Sequence, residues 1–281
     1  PMLEPQGGFA LPLGKWIPAL DGSAFAFGLY VPTSPNMAFD PNGPQRYGLN
    51  DSLIWQIYAG PSVALHTPKV PWLTLGLGFE YTVLRVDEAL AISSVFDLDG
   101  SEGPNDPLYT DSQDNDVVLD LHTWDYFKPS WNAGLLVTPA PWLKIGASVQ
   151  PAITYKAQGS LDVRFDESNP LNNFLEDQEA KDEDVELTVT VPWIVRAGVE
   201  VNPIRPLKVE GSFVWTKWSD SQDLKISDVY LKLHTKDSLM QLDDVVVTDD
   251  VHIPTGFKDA WSVRLGGDYQ IVDWARVSAG G

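Results

Sequence analysis

Apolar and polar residues alternate with period two through most of this chain. In residues 142–165 the odd positions include Leu143, Ile145, Ala147, Val149, Ile153, Tyr155, Leu161, Val163 and Phe165. The even positions between them include Lys144, Ser148, Gln150, Thr154, Lys156, Asp162 and Arg164. Residues 185–201 repeat the pattern, with Val185, Leu187, Val189, Val191, Val195 and Val199 set against Glu186, Thr188, Thr190, Arg196 and Glu200. A third stretch places Trp261, Val263, Leu265, Tyr269 and Ile271 around Ser262, Arg264, Asp268 and Gln270. Such alternation marks a strand with one apolar face. Length separates the readings. Strands of soluble sandwiches stop after about 5–6 residues, whereas a seventeen-residue strand rises roughly 56 Å. That crosses an apolar band about 25 Å tall at a tilt and projects beyond it.

The pattern predicts strands over 5–12, 22–32, 52–66, 72–90, 117–138, 142–165, 185–202, 206–218 (extended as far as 233), 257–272 and 274–281. Tight proline-bearing turns at 66–71, 139–141 and 202–206, and a short one at Val272-Asp273, alternate with long polar loops over about 33–51, 91–116, 166–184 and 219–257. Proline donates nothing to a ladder, so each cluster ends a strand. Trp72, Trp142 and Trp274 sit where strands restart, as an aromatic girdle requires. The fold class that follows is all-β, an antiparallel transmembrane β-barrel of about ten strands in a single domain over 1–281. Val149, Ile153, Val189 and Val195 are expected to share its lipid-facing surface. Both ends break off in mid-barrel, so the chain is expected to be an internal fragment of a longer one.

Composition narrows the functions. The 39 acids outweigh 19 bases for a net charge of -20, which repels nucleic-acid phosphate. The chain has no Cys, so no disulfide framework or thiolate metal site forms. His66, His122, His234 and His252 show no metal-ligand spacing. The stretch 97–102 lacks the acid that a calcium loop needs before its glycine. No cofactor and no metal are expected. Neither a Gly-x-Ser-x-Gly elbow nor a nucleotide loop appears, and the acids Glu179, Asp182, Glu183 and Asp184 have no apolar pocket to tune them. Enzymatic activity is therefore not expected. Lys144, Lys156, Arg164, Arg196 and Arg264 lie on the polar faces of the long strands, where Glu80, Glu186, Glu200, Glu210 and Asp268 are expected to neutralise them in the barrel interior.

Several stretches together resemble the OMPP1/FadL/TodX family, the FadL-type long-chain fatty acid transporters. They are Leu75-Gly76-Leu77-Gly78-Phe79, then Trp131-Asn132-Ala133-Gly134-Leu135-Leu136 leading into Ile145-Gly146, and Pro192-Trp193 after Leu187. Trp215-Thr216-Lys217-Trp218-Ser219 follows, then Gly256-Phe257-Lys258-Asp259-Ala260-Trp261 with Arg264-Leu265-Gly266. They occur in the family's order across essentially the whole chain. The resemblance implies a fourteen-strand outer-membrane barrel of which the N-terminal plug, first strand and last strands are missing here. It implies passive uptake of hydrophobic compounds, foremost long-chain fatty acids, by a bacterial outer-membrane monomer. Substrate would be captured among the loops and released through an opening in the wall where the third strand kinks.

That strand matches residues 25–32, and the kink falls on Gly28, Pro32, Thr33, Ser34 and Pro35. Its physical basis is that Pro32 and Pro35 remove ladder donors and Gly28 loosens the backbone. Substrate contacts are expected from Tyr30, Pro32, Arg85, Leu90, Ile92, Val95, Phe96, Leu171, Phe174 and Leu175, with Phe174-Leu175 an exposed apolar cluster in an acidic loop. The family's basic residue late in the fifth strand falls on Leu90, with Arg85 as a partial substitute. This departure leaves room for uncharged substrates such as aromatic hydrocarbons. Asp106, Asp111, Asp114 and Asp116 are candidates for divalent-ion bridging to lipopolysaccharide, against plain solvation of an acidic loop. The competing functions are a general or aromatic-hydrocarbon diffusion porin and an outer-membrane lipase.

Overall fold

The computed structural model describes residues 5–32, 36–41, 43, 45–46, 50–93, 116–165, 169, 175–176, 179–234, 236, 245–247 and 250–281. Its strands are β1 (Gly7–Pro12), β2 (Ala24–Tyr30), β3 (Asn36–Ala38), β4 (Asp51–Thr67), β5 (Val70–Ser93), β6 (Asp116–Ala140), β7 (Leu143–Gln150), β8 (Ile153–Phe165) and β9 (Glu179–Val191). They continue as β10 (Ile194–Ile204), β11 (Leu207–Thr216), β12 (Asp223–Ser227), β13 (Leu231–Leu233), β14 (Val245–Val247), β15 (Val251–Pro254), β16 (Ala260–Val272) and β17 (Ala275–Gly280). Ten of them form one antiparallel path in the order β1-β2-β4-β5-β6-β7-β10-β11-β16-β17. The all-β barrel wall expected from the alternation is therefore present, and its main path has ten strands with further strands branching from it. Tight turns join β4 to β5, β6 to β7, β10 to β11 and β16 to β17, all at one end.

Through the half of the wall next to those turns, the odd-numbered residues point out. Paired positions such as Leu65 and Leu75, Leu135 and Ala147, Val199 and Ile145, and Phe213 and Val263 lie side by side on that surface. Leu75, Leu77, Phe79, Leu135, Ile145, Phe213, Val263 and Leu265 are all exposed there. A surface this apolar has no place in water. Most even residues on the inner face are small or polar, among them Ala24, Ala26, Ser62, Gly76, Gly134, Ser148 and the Lys144–Glu200 pair at 2.9 Å. The eleven residues of β10, tilted at about 40°, span roughly 25–30 Å, the height of a bilayer's apolar band.

Toward the long-loop end the polarity inverts. The expected strand over 142–165 is two strands, β7 and β8, broken at Pro151-Ala152, and the one over 185–202 is β9 and β10, broken at Pro192-Trp193. β11 and β12 are likewise separated by a 3-10 turn at Trp218–Asp220, and β15 and β16 by residues 255–259. On β6 the break is a bulge: Thr82 pairs with Lys128 but Leu84 with Asp125, so β6 carries one extra residue. One extra residue turns every following side chain to the opposite face. Above the bulge β8 pairs with β6 and β9, and β12 pairs with β9 and β15.

Odd residues that face outward on β7 and β10 thus give way to odd residues that face inward on β8 and β9. Ile153, Tyr155, Ala157, Leu161, Val163, Val185 and Leu187 are buried, together with Leu84, Val86, Val117, Leu121 and Ile226. The expectation of a single lipid face fails for Ile153, which is sealed, and for Val189, which packs against the same cluster; Val149 and Val195 keep it. The outer surface here is ionic. Lys156 pairs with Glu186 at 2.8 Å, Arg164 with Asp120, and Lys181 with Asp162. Lys156 and Arg164, expected inside the barrel, therefore lie outside it in solvent.

Candidate functional site

The inward rotation of β8 and β9 packs a buried apolar cluster above a polar floor. Its residues come from β4, β5 and the upper part of β6 on one side and from β8, β9 and β12 on the other. Each fully buried Leu, Ile or Val contributes about 1.5–3 kcal/mol of transfer free energy, so this cluster holds facing parts of the one sheet together. At the long-loop end Arg46 and Asp116 form a buried ion pair, Nε to Oδ2 2.5 Å, and Asn169 donates to the Asp116 carbonyl at 3.2 Å. Asp116 is thus buried and ion-paired, so it is not one of the solvated loop acids suggested for ion bridging.

The floor is built from even-numbered side chains of β2, β4, β5 and β6 with one tyrosine from β8. The Tyr155 hydroxyl, wholly buried, donates to Thr82 Oγ1 at 2.9 Å and accepts from Gln56 Nε2 at 3.1 Å. Tyr30 and Tyr58 stack with ring centroids 5.2 Å apart. The Tyr30 hydroxyl and Asn132 Nδ2 both donate to Glu80 Oε1 at 2.7 Å. Arg196, on the inner face of β10, lies within electrostatic reach of Tyr30. Burial of hydroxyls and an acid requires partners, and the network supplies most of them.

Of the residues expected to contact substrate, Tyr30 is in the floor and Leu90 is on the inner side of β5, paired with Leu119. Leu175, expected to be exposed, is buried in the apolar cluster, and beside it the Glu176 amide donates to the His234 carbonyl at 2.8 Å. Arg85 is on the face opposite Leu84 and Val86, over the Trp124 ring at 4.7 Å and against Asp87 at 2.5 Å. It does not meet the buried apolar cluster. Val95, Phe96, Leu171, Phe174, Thr33, Ser34 and Pro35, with Asp106, Asp111 and Asp114, lie outside the described residues. Gly28 pairs with Gly60 and Gly8 in an unbroken ladder. That ladder ends at Tyr30↔Tyr58 and resumes at Asn36↔Leu53, leaving residues 54–57 of β4 without a strand partner on that side among the described residues. The interruption coincides with Pro32, which is exposed.

Tyr58, Gln56, Thr82, Tyr155 and the Arg46–Asp116 pair were not legible as site residues. They come from five separate segments, and only pairing register brings them together. Aromatic contacts ring the outer surface near the breaks: Tyr81–Phe127 at 4.0 Å, Trp131–Trp193 at 6.3 Å and Trp218–Phe257 at 5.4 Å. A second aromatic level, Trp72, Trp142 and Trp274, lies exposed at the turns. Rings of this kind settle at lipid–water boundaries.

A barrel wall that is apolar outside and polar inside between two aromatic levels defines a transmembrane β-barrel protein. More narrowly, the chain belongs to the outer membrane protein transport protein family (OMPP1/FadL/TodX), whose model matches residues 9–280. This is a family of transporters and channels, not of enzymes. No curated protein matches the sequence. Among solved structures, a Pseudomonas aeruginosa FadL homologue aligns with TM-score 0.74 at 18% identity over 98% of this chain and 58% of its own. The Pseudomonas putida toluene transporter TodX aligns with TM-score 0.62 at 14% identity, over 99% and 67% respectively. The CymD monoaromatic hydrocarbon channel gives 0.58 at 14%, over 92% and 65%. Such identities establish the shared fold. This chain spans somewhat over half to two thirds of the length of these relatives.

Proposed function

We propose that this chain forms much of the wall of a channel that carries hydrophobic small molecules across the outer membrane of a Gram-negative bacterium. The observation that supports this reading is the inversion of the interior. A polar lower lumen is capped by a buried apolar cluster drawn from β4, β5, β6, β8, β9 and β12, which in this reading is the wall of a closed ligand chamber. A water-filled porin needs a polar interior throughout, whereas hydrophobic ligands bind in apolar enclosures with a few polar groups. The interruption beside Pro32 is the counterpart of the proposed opening in the wall, through which substrate leaves sideways.

Uncharged substrates fit better than carboxylates. The chamber floor presents an acid, Glu80, Arg85 faces away, and Arg46 is already paired with Asp116. Monoaromatic hydrocarbons, the substrates named for TodX and CymD, are of this class. Long-chain fatty acids are the second reading, favoured by Arg196 close to Tyr30.

The test is uptake of radiolabelled toluene and oleate by a deletion strain carrying the full-length gene. Toluene uptake restored above the vector control, by more than oleate uptake, is the expected result. No restoration of either would remove the transport reading. In planar bilayers the protein is expected to conduct ions poorly; a large steady conductance would identify a general porin instead.

A further inference from the structure

Glu80 leaves one acceptor unused at the chamber floor. Its side chain is 5% exposed, and Oε1 takes both the Tyr30 hydroxyl and the Asn132 amide. Oε2 is buried with no hydrogen-bond partner. Ser130, also 5% exposed, is the register partner of Glu80 across β5 and β6, and its Oγ is buried and unpartnered too. Cross-strand partners hold their Cβ atoms about 4.5–5.5 Å apart, so the two polar atoms open from neighbouring points on the inner face without bonding each other. A buried carboxylate oxygen and a buried hydroxyl left without partners each cost free energy. A molecule that both donates and accepts at one atom satisfies them together.

We infer that Glu80 and Ser130 form a recognition site for the hydroxyl group of a neutral hydrophobic ligand, an alcohol or a phenol. The ligand O–H donates to Glu80 Oε2, and its oxygen accepts from the Ser130 hydroxyl. The apolar remainder extends along the lumen beneath the buried apolar cluster, on the side where Asn132 stands. Asn132, which fixes the other carboxylate oxygen, also lines a groove of small residues below, among Ala26, Ser62, Gly76 and Ser148. A carboxylate ligand would place a second anion against Glu80, and a hydrocarbon would leave both polar atoms unsatisfied. The selectivity is thus for hydroxylated over plain hydrocarbons. It rests on the proposed transport of hydrophobic molecules and narrows it.

The experiment compares binding of p-cresol and of toluene to the full-length protein in detergent, wild type against Glu80→Gln, by calorimetry. The substitution keeps the Oε1 acceptor and replaces Oε2 by an amide donor. Partitioning into micelles is common to both proteins, so the wild-type-to-variant ratio for each ligand isolates the site. Expected is a loss of about tenfold in p-cresol affinity, the scale of a hydrogen bond to a charged group, with toluene shifted several-fold less. Equal shifts for the two ligands, or none, would overturn the site while leaving the transport reading intact. Absence of binding of both p-cresol and toluene to the wild type would instead strike the transport reading itself. Folding of the variant is checked by heat-modifiable mobility on a gel. Should Glu80→Gln not fold, Ser130→Ala provides the same comparison, with p-cresol again expected to weaken more than toluene and equal shifts again counting against the site.

Discussion

Arg46 and Asp116 meet with side chains only 3% and 9% exposed, and breaking such a pair strands a charge out of water. Asp116→Ala is therefore expected to destabilise the long-loop half by about 3–5 kcal/mol, read as a lower unfolding midpoint in denaturant. A shift within error of zero would mean that solvent reaches Arg46. Tyr155→Phe deletes only a hydroxyl, yet it frees Gln56 and Thr82 at once. It is expected to cost about 1–3 kcal/mol by the same measurement. Neither residue announces itself in the chain. Tyr155 reads as one more apolar position in a strand, and Asp116 as the end of an acidic run. Glu80 was legible as an interior acid, because inner barrel faces are polar. Its true partners, Tyr30 and Asn132, lie 50 and 52 residues away and follow only from register.

Strand existence was legible at the scale of elements, because pairing across tight turns preserves odd–odd partnership and so keeps the alternation coherent in the half of the wall next to those turns. The breaks at Pro151 and Pro192 were not legible. Apolar odd positions continue on both sides of them, and a lipid face and a protein core demand the same residues. What distinguishes them is a reversal of the backbone, set by the extra residue of β6 near Tyr126 and Phe127. Deleting Phe127 would realign Leu121, Thr123 and Val117 with the outer face and is expected to abolish the folded, heat-modifiable band. Phe127→Ala, which keeps the residue count, is expected to preserve that band. Survival of the deletion would show that the bulge does not set the parity.

The turn between β11 and β12 has its own tie. The Ser219 amide donates to Asp259 Oδ1 at 3.1 Å, and bonds from Ser219 hold the Asp259 carboxyl below its ordinary value. A depressed folded pKa contributes stability above the unfolded value, about 3.9, and loses it as pH falls through the folded value. Trp218 packs on Phe257 beside this tie, so its fluorescence is expected to change on acidification below about pH 4, and Asp259→Asn should shift or remove that transition.

Across the whole molecule two solvents are assigned to two halves. The half next to the tight turns turns apolar residues to lipid and polar ones inward. The other half turns ion pairs such as Lys156–Glu186 to water and seals Val185 and Tyr155 inside. The apolar cluster stands above a polar lumen because parity reverses between them on β6 to β10, and the proposed passage of hydrophobic molecules depends on that apolar interior. The chain has no Cys, so single cysteines bearing nitroxide labels report on one position at a time. The decisive measurement is a scan of residues 143–165 of the protein in liposomes, recording accessibility to oxygen and to a water-soluble nickel chelate. Labels at Ile145, Ala147 and Val149 should be oxygen-accessible, those at Ile153, Ala157 and Leu161 shielded from both reagents, and those at Thr154, Lys156 and Gln158 open to nickel. Oxygen accessibility running without interruption from Ile145 to Leu161 would contradict the account.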